Sequence, residues 1–191
     1  MAVEMITLRL VGVGPMLMHS SRLADPFDPA AKALGKITAK QHKTDADHHR
    51  IAELEFFGSL WLHEGRPCLP PSAIKGALVN GAKTVRKGKA TKAAFVAEGP
   101  AMLEYDGPKT VEELWEDPRF RHREIVRVGE SRVARTRPCF DGWSATVRGS
   151  FITTILNRED VVGYFRMAGP FGIGDHRPDF GRFLIEESQL E

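Results

Sequence analysis

The chain has 191 residues, 42% hydrophobic and 27% charged, which is ordinary for a water-exposed globular protein and long enough for a substantial core. No run approaches about 18 apolar residues, which argues against a membrane-spanning helix, and the N-terminus lacks the basic-then-apolar pattern of a secretory signal. The formal net charge is +2, and the two cysteines, Cys68 and Cys139, are far apart with no C-x-x-C pairing; reduced thiols in a cytoplasmic protein are expected.

Residues 3–13 read as a strand with apolar residues on both faces, central in a sheet, and Gly14-Pro15 ends or kinks it. Residues 22–44 are polar, with Pro26 and Pro29, and read as a mobile insertion outside the core. Thr44-Asp45 opens a helix through about Phe57, with Ile51, Leu54 and Phe57 recurring on one face. A hairpin follows over 59–70, turning at Glu64-Gly65.

Ser72–Lys87 carries the clearest helical pattern, with Ile74, Ala77, Leu78, Gly81, Ala82 and Val85 on one face and Ser72 as the N-cap. Lys75, Lys83, Arg86 and Lys87 project away from that stripe, as either a solvated face or an anion-binding one. AMLEYD from Ala101 reads as a short strand and VEELWEDP from Val111 as an acidic turn or helix. Residues 124–137 read as a projecting hairpin through Gly129-Glu130-Ser131, its second arm placing Val133, Arg135 and Arg137 on one face. Pro138 argues that this arm sits at an edge or projects. Ser144–Thr154 is a strand. Asn157 caps a helix that Gly169 stops, and a glycine-rich segment, GPFGIGDHRPDFGRF, leads into a closing strand, FLIEE.

This order gives a β-α-β pattern in each half. It predicts a single α+β domain over 1–191 with a ferredoxin-like (RRM-like) core: an antiparallel sheet and two main helices, plus an insertion over 20–57 and the hairpin.

Charge is segregated along the chain. Residues 65–92 carry +7, residues 93–118 carry −6 and residues 119–148 carry +5. Such blocks create local fields that the net charge conceals. Nucleic-acid binding needs cations along a backbone path and planar groups for stacking. The helix supplies Lys75, Lys83, Arg86 and Lys87; the run from Arg132 adds Arg135, Arg137, Phe140 and Trp143. The competing reading is a hairpin that pairs with the chain's own acids at 93–118. In the glycine segment, Gly169, Gly172, Gly174 and Gly181 allow tight turns and close approach, so the segment is a connector that also shapes a groove wall. Arg177 and Arg182 flank it as fork-shaped donors, while Asp175 and Asp179 weaken its grip on phosphate.

Other chemistry is sparse. There is no Walker A loop, no G-x-G-x-x-G between a strand and a helix, and no G-x-S-x-G, so no nucleotide cofactor is expected. Asp45, His49 and Glu53 share a helix face near His48 and His42, but no second cluster completes a metal shell, and no metal is expected. His19 is a candidate general base at a strand end, with Asp25 and Asp28 in the loop beyond.

Three segments carry a family likeness. LPPSAIKGAL at 69–78, the Gly14-Pro15-Met16 turn and GIGDHRPDFGRF at 172–183 resemble elements of the RAMP superfamily, the ferredoxin-like subunits of CRISPR effector complexes. The likeness covers about a third of the chain. Pro70-Pro71 stands where the family has glycine, and other stretches look more like solitary phage or prophage proteins. The resemblance implies a homo-oligomer stacking along single-stranded RNA, with Lys75 on its backbone and 169–183 shaping the groove, or RNA cleavage by a histidine. The resulting expectation is non-catalytic single-stranded RNA or DNA binding. The alternatives are a metal-independent endoribonuclease using His19 and a phage scaffolding protein assembled through charge blocks.

Overall fold

Along β1 (Val3–Gly12) burial alternates: Ile6, Leu8 and Leu10 are buried, whereas Val3 and Met5 are exposed. One face of this strand is covered and the other open, as period-2 geometry dictates. The computed structural model describes residues 2–186. After β1 come β2 (Met16–Leu17), α1 (Pro29–Thr38), α2 (Asp45–Ser59), β3 (Leu62–His63), β4 (Arg66–Leu69) and α3 (Pro71–Lys83). They are followed by α4 (Gly88–Ala94), β5 (Phe95–Ala97), β6 (Ala101–Glu104), α5 (Val111–Glu116), β7 (Arg121–Val128) and β8 (Ser131–Phe140). The last elements are β9 (Ser144–Ile152), α6 (Arg158–Ala168) and β10 (Phe183–Glu186). Glu187, the last residue of the expected closing strand, lies outside the described residues. The protein is α+β with a mostly antiparallel sheet. Among the described residues no helix is long and apolar enough to cross a membrane.

The chain divides into two compact units, the first from residues 2–16, 62–106 and 141–186, the second from 17–61 and 107–140. The expected insertion over 20–57 and the hairpin at 124–137 both fall in the second.

In the first unit the sheet order is β10-β1-β9-β6-β4-β3, with β5 also pairing with β9. β1 runs antiparallel to both neighbours, Arg9 standing opposite Glu186 on one side and Thr146 on the other. Helices α3 and α6 pack together where Gly81 lies against the Tyr164 carbonyl, a spot with no space for a Cβ. Ile74, Leu78, Phe95, Phe151 and Phe165 fill the core.

Three details of this unit differ from expectation. Helix α3 starts at Pro71, whose fixed φ and missing N–H suit the first turn, so the N-cap position is Pro70, without a side-chain cap, and not Ser72. It ends at Lys83, because Arg86 takes φ 61 and the chain re-enters as α4; Val85, 43% exposed, is therefore off the buried stripe. Gly169 stops α6 as its C-cap, as expected, but in a right-handed conformation at φ −50 that leads into a short 3-10 turn; the left-handed residue is Gly172 at φ 79. Gly169 is needed instead for close approach to the Phe183 carbonyl.

A three-stranded sheet has the order β2-β8-β7, of which Leu17 of β2 and all of β8 and β7 belong to the second unit. Residues 22–44, expected as an insertion outside the core, contain a helix. Asp28 accepts from Ala30 N at 2.8 Å and Pro29 starts α1, although no residue of that helix is buried. Helix α2 opens with a full capping box between Thr44 and Asp47. Its buried side carries Leu54, Glu55 and Phe56, and Phe56 and Phe57 both pack on Trp115. β8 is the middle strand and not an edge. Proline lacks only a donor, and the Pro138 carbonyl still accepts from Met18 N at 3.0 Å while Pro138 faces Arg121 of β7.

Candidate functional site

A cavity of about 440 Å³ opens in the second unit where α2 meets the β7–β8 hairpin. Cationic side chains dominate its lining: Lys43, Arg123, Arg132 and Arg135, with the His48 ring beside them. Ile51, Ala52, Val133 and Ala134 contribute apolar lining. The lone acid is Glu55, and it is 1% exposed.

Glu55 is fully engaged within the protein. Its Oε1 meets Arg135 Nη1 at 2.5 Å, and its Oε2 accepts from the Thr136 backbone N–H at 2.9 Å. A buried carboxylate needs such partners, because desolvation otherwise disfavours its charge. Arg135 is thereby neutralised at the base of the hairpin. Arg137 is 8% exposed and also turned inward, donating to the Thr136 carbonyl at 3.3 Å and to Ser59 Oγ at 3.5 Å. Its Nη2 lies 3.4 Å from His19 Nε2. A guanidinium only donates, so this contact uses the histidine lone pair.

Further cations have structural duties. The Arg121 guanidinium lies 4.8 Å from the Trp115 ring centroid, and Arg127 Nε donates to the Gly129 carbonyl at 3.0 Å. Arg123 and Arg132 are different. Among the described residues neither makes a side-chain hydrogen bond or ion pair, and both are exposed beside the cavity. The turn before α2 brings Lys43 to the same rim, its Nζ donating to the Lys40 carbonyl at 2.7 Å. Lys40 in turn holds Asp47 at 2.6 Å, and that hydrogen bond, with the Thr44 N–H, lowers the Asp47 pKa to about 2.

The anticipated site residues are therefore dispersed. Arg132 and Arg135 meet at the cavity. Lys75, Lys83, Arg86 and Lys87 lie in the first unit, Lys75 half-buried on α3, Lys83 held to Asn80 Oδ1 at 3.1 Å, and Arg86 and Lys87 in the turn beyond the helix. Arg177 and Arg182 are exposed in the first unit as well.

Phe140 and Trp143, expected to stack on bases, are both 0% exposed. Phe140 packs edge-on against Phe120 with centroids 5.6 Å apart. Trp143 Nε1 donates to the Gly14 carbonyl at 3.1 Å and its ring packs on Phe183. Large rings at the end of β8 and the start of β9 contribute more by burial than exposure allows, so neither offers a face to a ligand.

The glycine segment is consumed by its own closure. Ile173 N donates to the Gly181 carbonyl at 2.9 Å and Gly181 N to the Pro15 carbonyl at 2.8 Å. Gly172, Gly174 and Gly181 all take positive φ, and a Cβ on Gly181 would overlap the Ile173 carbonyl.

Candidate acid–base and metal groups have local roles. Asp25 accepts from Phe27 N at 2.8 Å and Asp28 caps α1 while bridging Arg22 at 2.9 Å. Glu53 pairs with Arg50 at 2.6 Å, and His49 packs edge-on against Trp115. Among the described residues no group of three or more metal-ligating side chains comes together.

Sequence reasoning missed Lys43, Arg123 and Glu55, and named His48 only beside a possible metal face. A signal for Glu55 existed: Ile51, Glu55 and Ser59 recur at i, i+4, i+8 of α2, placing an acid in line with an apolar residue. Compared with known proteins, the chain matches no family model and no curated protein.

Proposed function

We propose that this protein binds single-stranded nucleic acid without catalysis, as a homo-oligomer, and that the basic cavity of the second unit is where phosphate is gripped. The observation that carries this reading is the pair Arg123 and Arg132, two arginines with no side-chain partner among the described residues, beside Lys43 at a cavity whose single acid is already neutralised. Free guanidinium groups are weakly hydrated forks suited to phosphate oxygens. Binding then rests on phosphate contacts, which is why sequence tolerance and strong salt dependence follow.

A ferredoxin-like core belongs to the same reading. The order β10-β1-β9-β6, with α3 between β1 and β6 in sequence and α6 between β9 and β10, supports it. With that core the RAMP-type resemblance favours RNA over DNA.

The test is binding of a labelled single strand across a salt series. Three phosphate contacts give a log–log slope of about −2, at roughly −0.7 per contact. Salt-independent or absent binding would overturn the proposal.

One observation favours a second reading, a metal-independent endoribonuclease. His19 is exposed while Arg137 stands 3.4 Å from its Nε2, putting a cation beside a candidate base. It requires RNA cleavage in EDTA that His19→Ala abolishes; cleavage surviving that substitution removes the assignment.

A further inference from the structure

We infer that the cavity between α2 and the β7–β8 hairpin accepts one nucleotide unit ending in a phosphomonoester, its phosphate among Lys43, Arg123 and Arg132 and its base against Ile51, Val133 and Ala134. This deepens the nucleic-acid reading above and rests on it for the ligand's chemical class.

Size is the first argument. At about 440 Å³ the space has the dimensions of a small-molecule pocket, typically about 300–1,000 Å³, and holds far more than a bare phosphate ion. Second, the lining combines cationic side chains with apolar ones, which suits an amphiphilic anion with a charged head and a flat body. Charge is the third. A phosphomonoester carries about −1.5 to −2 and three acceptor oxygens at neutral pH, whereas an internal phosphodiester carries one charge. Three cations lining one cavity therefore favour the more highly charged monoester. Glu55 does not oppose it, because both carboxylate oxygens are held by Arg135 and the Thr136 N–H.

The same chemistry can come from a strand terminus or from a free mononucleotide, and the experiment separates them. The full-length protein is titrated at fixed salt with one labelled oligonucleotide in 5′-phosphorylated, 3′-phosphorylated and unphosphorylated forms. AMP, UMP and inorganic phosphate serve as competitors. A terminal phosphate is expected to tighten binding by about tenfold or more, and Arg123→Gln/Arg132→Gln to erase that difference. AMP or UMP displacing the strand without any end preference supports the pocket with a free nucleotide as ligand. Equal affinity for all three oligonucleotides with no competition by AMP or UMP overturns the inference. If salt-sensitive strand binding persists in that case, the broader reading stands alone. Inorganic phosphate competing as well as AMP and UMP would also overturn it, since the apolar lining would then contribute nothing. Both substituted residues are exposed, so Arg132→Gln alone, checked by an unchanged melting curve, guards against a folding artefact.

Discussion

Glu55 of α2 and Arg135 of β8 meet at 2.5 Å, with the carboxylate almost wholly buried. The pair ties helix to hairpin within the second unit, and the Thr136 N–H occupies the other oxygen. Glu55→Ala leaves a guanidinium and a buried N–H without their acceptor. Arg135 is 31% exposed at its side chain, so water recovers part of the loss. We expect a destabilisation of about 2–3 kcal/mol, with Glu55→Gln costing less because it keeps an acceptor. Urea unfolding measures it; a change below about 0.5 kcal/mol would mean the pair contributes little.

Two glycines of α3 predict opposite outcomes. Gly81 faces the Tyr164 carbonyl of α6, and a Cβ there would have to displace backbone. Gly81→Ala should cost about 2–3 kcal/mol by forcing the helices apart. Gly76 has nothing within 4 Å of its virtual Cβ and is exposed. Gly76→Ala should stabilise by up to about 1 kcal/mol through helix propensity and a less flexible unfolded chain. Thermal melts of the two variants must move in opposite directions.

Much of the fold was legible because local chemistry and tertiary structure agree. The Asn157 and Thr44 caps, the Glu64-Gly65 and Gly129-Glu130 turns and the buried stripe of α3 from Ile74 to Ala82 all stand where pattern puts them. Pro138 misleads because a missing donor does not by itself bar a strand from the middle of a sheet. The site was less legible. Arg135, Arg137, Phe140 and Trp143 form one arginine–aromatic run, yet two of those arginines turn inward and both rings are core. Sequence records charge but not which acid answers it, and the acid answering Arg135 is Glu55, eighty residues away and outside the acidic block at 93–118.

Acid should loosen the start of α2 in a defined window. Asp47 has its pKa lowered from 3.8 to about 2 by Lys40 and the Thr44 backbone N–H. Its contribution is therefore complete above about pH 4 and lost as pH falls through about 2. Asp28, lowered chiefly by its hydrogen bond from Arg22, acts in the same direction at α1. Far-ultraviolet circular dichroism from pH 5 to pH 2 should show helix loss that Asp47→Asn displaces to higher pH. An identical acid profile in the variant would contradict the assignment.

The two thiols should react unequally. Cys68 is 2% exposed and burial raises its pKa, which keeps it the protonated, poorly nucleophilic thiol. Cys139 is half-buried. A thiol-reactive dye added to native protein should label Cys139 and reach Cys68 only on unfolding, so Cys68→Ser leaves native labelling unchanged. Rapid native labelling lost in Cys68→Ser would contradict this.

The most direct test of the central claim compares the salt slope for single-strand binding in two variants. Arg123→Gln/Arg132→Gln removes the arginines beside the cavity; Lys83→Gln/Arg86→Gln/Lys87→Gln removes the cations at the end of α3. Loss of two phosphate contacts should flatten the log–log slope by about 1.4 in the first variant and leave the second near the parent value. A parental slope in the first variant with a collapsed slope in the second would place the interface on α3 and contradict the account.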